Sequence, residues 1–266
     1  MLLPFLGAVA ATGLLRLVGG ASLGPRLAGA GAAAGFLLAY AAVVGARGLP
    51  VPFGDHKILT LALLGMLAGI LIDSEGWGGK WQRVVVIALG VSALGWIIGP
   101  EALRTDPGPE RNLLVAYVAG AILVFVRITR VAGSAGTAPI QLAVAATGIA
   151  IVATGGGASG VGYLGLALAA ATFGFVAWNV PDVRFAPGPA LVLGVATPLL
   201  AMAGQLLVDE DASPVALALL LLVFFSEWIA GHIKISGGKI TRPIVLAFSG
   251  LLVVALAVGV AQWTGV

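Results

Sequence analysis

Ten apolar stretches follow one another with short gaps along the chain, at 2–20, 27–46, 57–73, 84–100, 112–130, 139–155, 161–179, 188–208, 213–233 and 243–263. A helix that crosses the bilayer core needs about 20 predominantly apolar residues, and each stretch is of that order. Backbone amides in hydrocarbon have no water to bond, so stretches of this kind must close their hydrogen bonds within themselves, as helices do. The gaps carry the glycines and prolines that end helices, as in Gly48-Leu49-Pro50-Val51-Pro52, Thr105-Asp106-Pro107-Gly108-Pro109, Gly155-Gly156-Gly157 and Phe185-Ala186-Pro187-Gly188-Pro189. The expected fold is all-α: a polytopic integral membrane protein with ten transmembrane helices in a single domain over 1–266. Met1-Leu2-Leu3-Pro4 carries no basic segment and Arg16 interrupts the apolar run, so the first stretch reads as a helix rather than a signal peptide.

Composition narrows the chemistry. Charged residues make up 9% of the 266 residues, where soluble domains carry about 25%. No soluble catalytic domain fits between the helices. The absence of cysteine excludes disulfides, zinc thiolates and iron–sulfur clusters, and two histidines, His56 and His232, are too few for a haem-carrying bundle. The excess of 14 basic over 11 acidic residues reads as loop charge on one membrane face, so no nucleic-acid partner is expected.

The basic residues also set an orientation, because Lys and Arg resist translocation. Connections after odd-numbered stretches hold Arg16, Arg26, Lys80, Arg83, Arg127, Arg130, Arg184, Lys234, Lys239 and Arg242; those after even-numbered stretches hold Arg47, Lys57, Arg104 and Arg111. The odd connections are therefore expected on the cytoplasmic face and both termini outside.

Three odd connections carry a pattern. The third runs Asp73-Ser74-Glu75-Gly76-Trp77-Gly78-Gly79-Lys80-Trp81, an acidic helix end followed by a basic residue and a tryptophan. The seventh reads Gly174-Phe175-Val176-Ala177-Trp178-Asn179-Val180-Pro181-Asp182-Val183-Arg184-Phe185, and the ninth holds Glu227, then Lys234 and Gly238-Lys239. Over about 57–242, in this order, the chain resembles the polyprenyl-phosphate sugar-1-phosphate transferases, glycosyltransferase family four. The resemblance implies a ten-helix bundle in a prokaryotic cytoplasmic (inner) membrane, with its site in the cytoplasmic connections and a polyprenyl phosphate as lipid partner.

The same comparison implies lost catalysis. Ser74 stands where the family pairs Asp73 with a second acid, Pro189 takes the place of an essential aspartate, and the connection Arg127-Ile128-Thr129-Arg130-Val131-Ala132-Gly133-Ser134 lacks the family's asparagine and aspartate. Thr241-Arg242-Pro243 replaces its histidine segment, and Gly19 to Leu27 is too short for its first substrate-binding loop. Transfer of a sugar phosphate needs carboxylates that hold Mg²⁺ against phosphate oxygens. Asp73, Glu75, Asp182 and Glu227 are the acids at hand, an incomplete set. The expectation is a non-catalytic relative without a cofactor, Mg²⁺ entering only if the chain proves catalytic, which binds a lipid phosphate or supports a membrane-protein partner or second copy in cell-envelope glycan synthesis.

Lys80, Arg83, Arg127, Arg130 and Arg184 are the candidates for gripping that phosphate, and they suit headgroup anchors equally well. Asp73 and Glu75 suit a cation or neutralisation by Lys80 and Arg83. Glu227, inside an apolar run with His232 five residues on, suits a proton-coupled site or an interfacial carboxylate. Asn179 suits a helix cap, and the tryptophans suit the membrane interface. Two other functions stay open. One is a working transferase with rearranged acids. The other is a small-molecule transporter of five plus five helices, suggested by Ala8-Val9-Ala10-Ala11-Thr12-Gly13 recurring at Ala143-Val144-Ala145-Ala146-Thr147-Gly148 and by Trp96-Ile97-Ile98-Gly99 echoed at Trp228-Ile229-Ala230-Gly231. Short matches of this kind also arise by chance in a chain so rich in Ala, Val, Leu and Gly.

Overall fold

The computed structural model describes residues 1–44, 57–76, 79–104, 108–132, 136–209, 211–232 and 241–264. Every regular element among them is helical: α1 (Leu2–Val18), α2 (Gly20–Leu27), α3 (Ala30–Val44), α4 (Lys57–Glu75), α5 (Gly79–Arg104), α6 (Pro109–Val131), α7 (Thr137–Gly155), α8 (Ser159–Trp178), α9 (Pro189–Val208), α10 (Pro214–His232) and α11 (Thr241–Thr264). The eight helices α4 to α11 are long and apolar enough to cross a membrane. The chain is a polytopic helical membrane protein. Two apolar helices, α1 and α3, are shorter.

The first apolar stretch ends earlier and the second begins later than expected, because the chain between them forms a helix of its own. Gly20, at φ +64°, turns the chain out of α1, and α2 folds back so closely that a Cβ on Gly24 would lie 2.3 Å from the Arg16 carbonyl oxygen. Arg16 closes this turn by donating from Nη1 to the Gly20 carbonyl at 2.6 Å.

Small residues set the helix packing. Between α1 and α3, a Cβ on Gly31 would fall 2.1 Å from Thr12 Oγ1, and one on Gly35 would fall 2.6 Å from the Ala8 Cβ. Gly162 and Gly165 of α8 meet Thr154 and Ala150 of α7 in the same way. Lipid gives helices no hydrophobic drive to associate, so close contact of this kind supplies the cohesion.

The echo between 8–13 and 143–148 is not matched in packing. Ala8 and Thr12 are the buried contacts of α1, whereas α7 meets α8 through Ala150 and Thr154, which lie one to two turns beyond the echoed Ala143 and Thr147. Further, α1 packs extensively on α8, with no comparable α3–α7 contact among the described residues, and α7 packs on α11 with no comparable α1–α6 contact. The helix pairs α1–α3 and α7–α8 do correspond, as do α5–α6 and α10–α11.

Two helices are irregular inside. Residues Val192–Ala196 of α9 form a π turn, and Leu221–Phe225 of α10 form a 3₁₀ turn. Such interruptions change which carbonyls are free to accept bonds from elsewhere.

Candidate functional site

One stripe of α4 builds the site. Gly65, Gly69 and Asp73 are spaced by four residues and so lie on one helix face. A Cβ on Gly65 would meet the Leu193 carbonyl oxygen at 2.4 Å, and one on Gly69 would meet the Ala190 Cα at 2.3 Å, so the two glycines bring the start of α9 into backbone contact. One turn further on, the Asp73 carboxylate reaches the α9 N-terminus and accepts the Ala190 N–H at 3.0 Å through Oδ2. Pro189, which needs no N–H partner, fills the first position of α9. Gly188 before it leaves room for the carboxylate, since a Cβ there would lie 2.7 Å from Asp73 Oδ1. Asp73 is buried, and it acts as a cap supplied by a neighbouring helix at a terminus that carries partial positive charge.

Asp73 lies in the wall of an open cleft of ≈ 470 Å³. Pro25 and Arg26 come from α2, Gln82 and Arg83 from α5, Thr129 and Ala132 from the end of α6, and Ala186 to Pro189 from the chain entering α9. Four odd-numbered connections thus meet at one end of the bundle. Among the described residues, the charged ones that line the cleft are Arg26, Arg83 and the capping Asp73. A cleft with this balance suits an anion, which guanidinium groups grip through charge-assisted hydrogen bonds.

The five basic candidates do not form one ring. Arg83 lines the cleft; Lys80, Arg130 and Arg184 are exposed and do not. Arg127 turns to the other side of α6. Its Nη2 donates to Glu227 Oε1, its Nε donates to the Phe224 carbonyl at 3.2 Å, and its guanidinium lies 5.2 Å from the centre of the Phe225 ring. Gln141 of α7 donates to the same Phe224 carbonyl at 3.2 Å and lies 3.5 Å from Ser226 Oγ. The 3₁₀ turn of α10 thereby receives two side-chain donors from two other helices. The separation has a simple cause: Arg127 and Thr129 are two residues apart, about 200° around the helix, and only one of them can face the cleft.

The remaining candidates are placed as follows. Ser74 donates to the Leu71 carbonyl at 2.8 Å and Glu75 is exposed, so neither adds an acid to the cleft wall. Asn179 is buried and organises the connection after α8: its Oδ1 accepts the N–H groups of Arg184 at 2.9 Å and Phe185 at 2.8 Å. Phe185 then packs on Trp178, whose Nε1 donates to the Val9 carbonyl at 3.0 Å. Asp182 and Arg242 line a second cavity of ≈ 420 Å³ beside Asn179, with Ile140, Val176 and Leu246 as apolar walls. The His232 ring packs tilted against Trp228, with 4.6 Å between ring centres, and bonds its carbonyl through Nδ1. Lys239, Lys234, Trp77, Gly133 and Ser134 lie outside the described residues.

Asp73, Asp182 and Glu227 therefore occupy three separate places, and among the described residues no three His, Asp or Glu side chains gather as metal ligands. Sequence reading overlooked Arg26 and Gln141. Arg26 enters the sequence pattern only through orientation, although it is the one charged residue between the first two apolar stretches, and Gln141 is a lone amide within an apolar run, the kind of residue that marks an interhelical contact. No protein-family model matches this chain, and no curated protein sequence matches it. The family resemblance rests on the residues quoted above.

Proposed function

We propose that the chain binds a polyprenyl phosphate at the inner-end cleft without transferring a sugar phosphate to it, as a non-catalytic relative of family-four glycosyltransferases. The observation that supports this most is the use of Asp73. Its carboxylate is engaged with the start of α9, while the other two charged groups of the cleft are arginines that suit a phosphate. Ser74 and Pro189, which stand at the family's acidic positions, serve a local hydrogen bond and a helix start. In this reading all ten apolar helices cross the cytoplasmic membrane and both termini lie outside. Cysteines placed at Ala186 and Asp209, in a chain that has none of its own, then label from opposite faces. Labelling of both from one face contradicts the topology.

The binding test uses vesicles of neutral lipid with and without a few per cent polyprenyl phosphate. The parent protein should retain the phosphate lipid through purification, and the double variant Arg26→Gln, Arg83→Gln should lose most of it while staying folded. Each guanidinium–phosphate contact is worth roughly 1.5–3 kcal/mol as a hydrogen bond to a charged group. Equal retention by the two proteins contradicts the reading, and release of UMP from a UDP-sugar with Mg²⁺ would show a working transferase. The transporter alternative gains little from the packing, because the helix pairs follow the five-plus-five exchange only in part.

A further inference from the structure

The cleft has one wall fixed by backbone contact and one whose end is joined to α10 by polar contacts. Asp73 and the start of α9 belong to the fixed wall, where α4 and α9 touch through backbone. Gly79, Gln82, Arg83 and Val86 of α5 and Thr129 and Ala132 of α6 form the other wall. Of the α5–α6 hairpin, α5 is the most exposed span, with 17% of it buried, while α6 at 33% is close to α4 at 39% and α10 at 28%, against 78% for α7 and α9. The two helices of the hairpin pack on each other and, over the rest of their length, on α4, α9 and α10. Toward the inner end α6 is tied to the body by Arg127, through Glu227 and the Phe224 carbonyl of the 3₁₀ turn. Thr129 and Ala132, on the cleft side, follow within two turns.

We propose that Arg127 and Glu227 are positioning residues that hold the α5–α6 wall, and with it Arg83, at the correct distance from Asp73 and the start of α9. Arg127 does this through α10 rather than by touching the ligand. A buried or half-buried charge that loses its partner is left uncompensated, so removing either side of the pair costs more than the pair is worth. The 3₁₀ turn makes the tie two-pronged: the Phe224 carbonyl accepts from both Arg127 and Gln141, which couples α6, α7 and α10 at one point. The proposal rests on the cleft being a binding site, but the position of the wall can be measured with no ligand present.

The experiment places a single cysteine at Ala132, which lines the cleft, and follows its modification by a charged thiol reagent in detergent. Arg127→Gln and Glu227→Gln should each raise the rate about three- to tenfold, ~0.6–1.4 kcal/mol in a two-state opening, and the charge-exchanged pair R127E/E227R should bring it part of the way back, since it restores the ion pair but a glutamate at 127 cannot donate to the Phe224 carbonyl. Unchanged rates in both single variants overturn the proposal, and so does an exchanged pair whose rate stays as high as that of Arg127→Gln. Arg127→Lys keeps the charge but reaches only one of the two acceptors, and it serves if the glutamine variants do not fold. A rate above the parent's supports the tie, and a rate equal to the parent's overturns it. Polyprenyl-phosphate binding gives the second readout. Glu227→Gln should weaken it, whereas an Arg127 that gripped phosphate directly would be freed by that change and binding would hold or tighten. If the parent binds no polyprenyl phosphate at all, the functional reading fails while the labelling result still decides the tie.

Discussion

The α4–α9 seam and the α5–α6 hairpin form opposite walls of one cleft and are held by opposite means. Along the seam, Gly65 and Gly69 let backbone meet backbone, and the buried Asp73 then has one place to go, the Ala190 N–H. Among the described residues, no glycine of the hairpin brings its backbone against that of the body near the cleft. Most of α5 faces outward, a Cβ on Gly95 would meet nothing within 4 Å, and at the cleft end Arg127 joins α6 to α10. Small-residue packing fixes distance through repulsion and allows little adjustment. A side-chain tie fixes it through bonds that a competing ligand or a charge change can shift. A cleft between two such walls keeps its capped carboxylate fixed while the arginine on the other side can move.

Substitution of the glycines should break this contrast most strongly. Gly69→Leu places a side chain where the Ala190 backbone already lies, so little folded protein should be recovered; even Gly69→Ala should cost roughly 1–3 kcal/mol as overpacking. Gly95→Ala, in open space within a helix, should change stability by less than about 1 kcal/mol and in the stabilising direction. Detergent unfolding of the three proteins side by side measures this. Similar losses at Gly69 and Gly95 would mean that the seam and the hairpin are held alike.

Substitutions at Asp73 should have a smaller effect and sharpen its role. Asp73→Ala leaves the Ala190 N–H without its acceptor and should cost about 1 kcal/mol, as removal of a helix cap does. Asp73→Asn keeps an oxygen for that N–H and loses only the charge at the positive end of α9, so its cost should be a fraction of the alanine value. An asparagine variant as damaged as the alanine variant would show that the negative charge serves something other than capping.

Much of this was legible in the residues. Hydrophobic run length located the long helices to within a few residues, because in a bilayer the length of the apolar run and the length of the helix are set by the same thickness. The join at 20–30 was not legible: Gly19, Gly20 and Gly24 read as loop glycines, and only the positive φ of Gly20 and the close approach of Gly24 to Arg16 show that Gly20–Leu27 forms a short helix folded back on α1. At the site, Asp73 and Asn179 stood out from their motif, but their tasks did not. Asp73 finds its partner 117 residues away, and Asn179 bonds the N–H groups of the connection that follows it rather than its own helix end alone. Arg127 illustrates the limit of spacing arguments. Its separation from Arg130 placed both near one face, yet Glu227, 100 residues on, decides where the guanidinium lies.

The most direct measurement is native mass spectrometry of the purified chain, released from detergent, with the variants Arg26→Gln and Arg83→Gln beside it. The account predicts a bound species of polyprenyl-phosphate mass on the parent, reduced in each single variant and absent when both arginines are replaced. A parent that carries only bulk phospholipid, or a polyprenyl phosphate that persists when both arginines are gone, would contradict a phosphate-binding cleft between the α4–α9 seam and the α5–α6 hairpin.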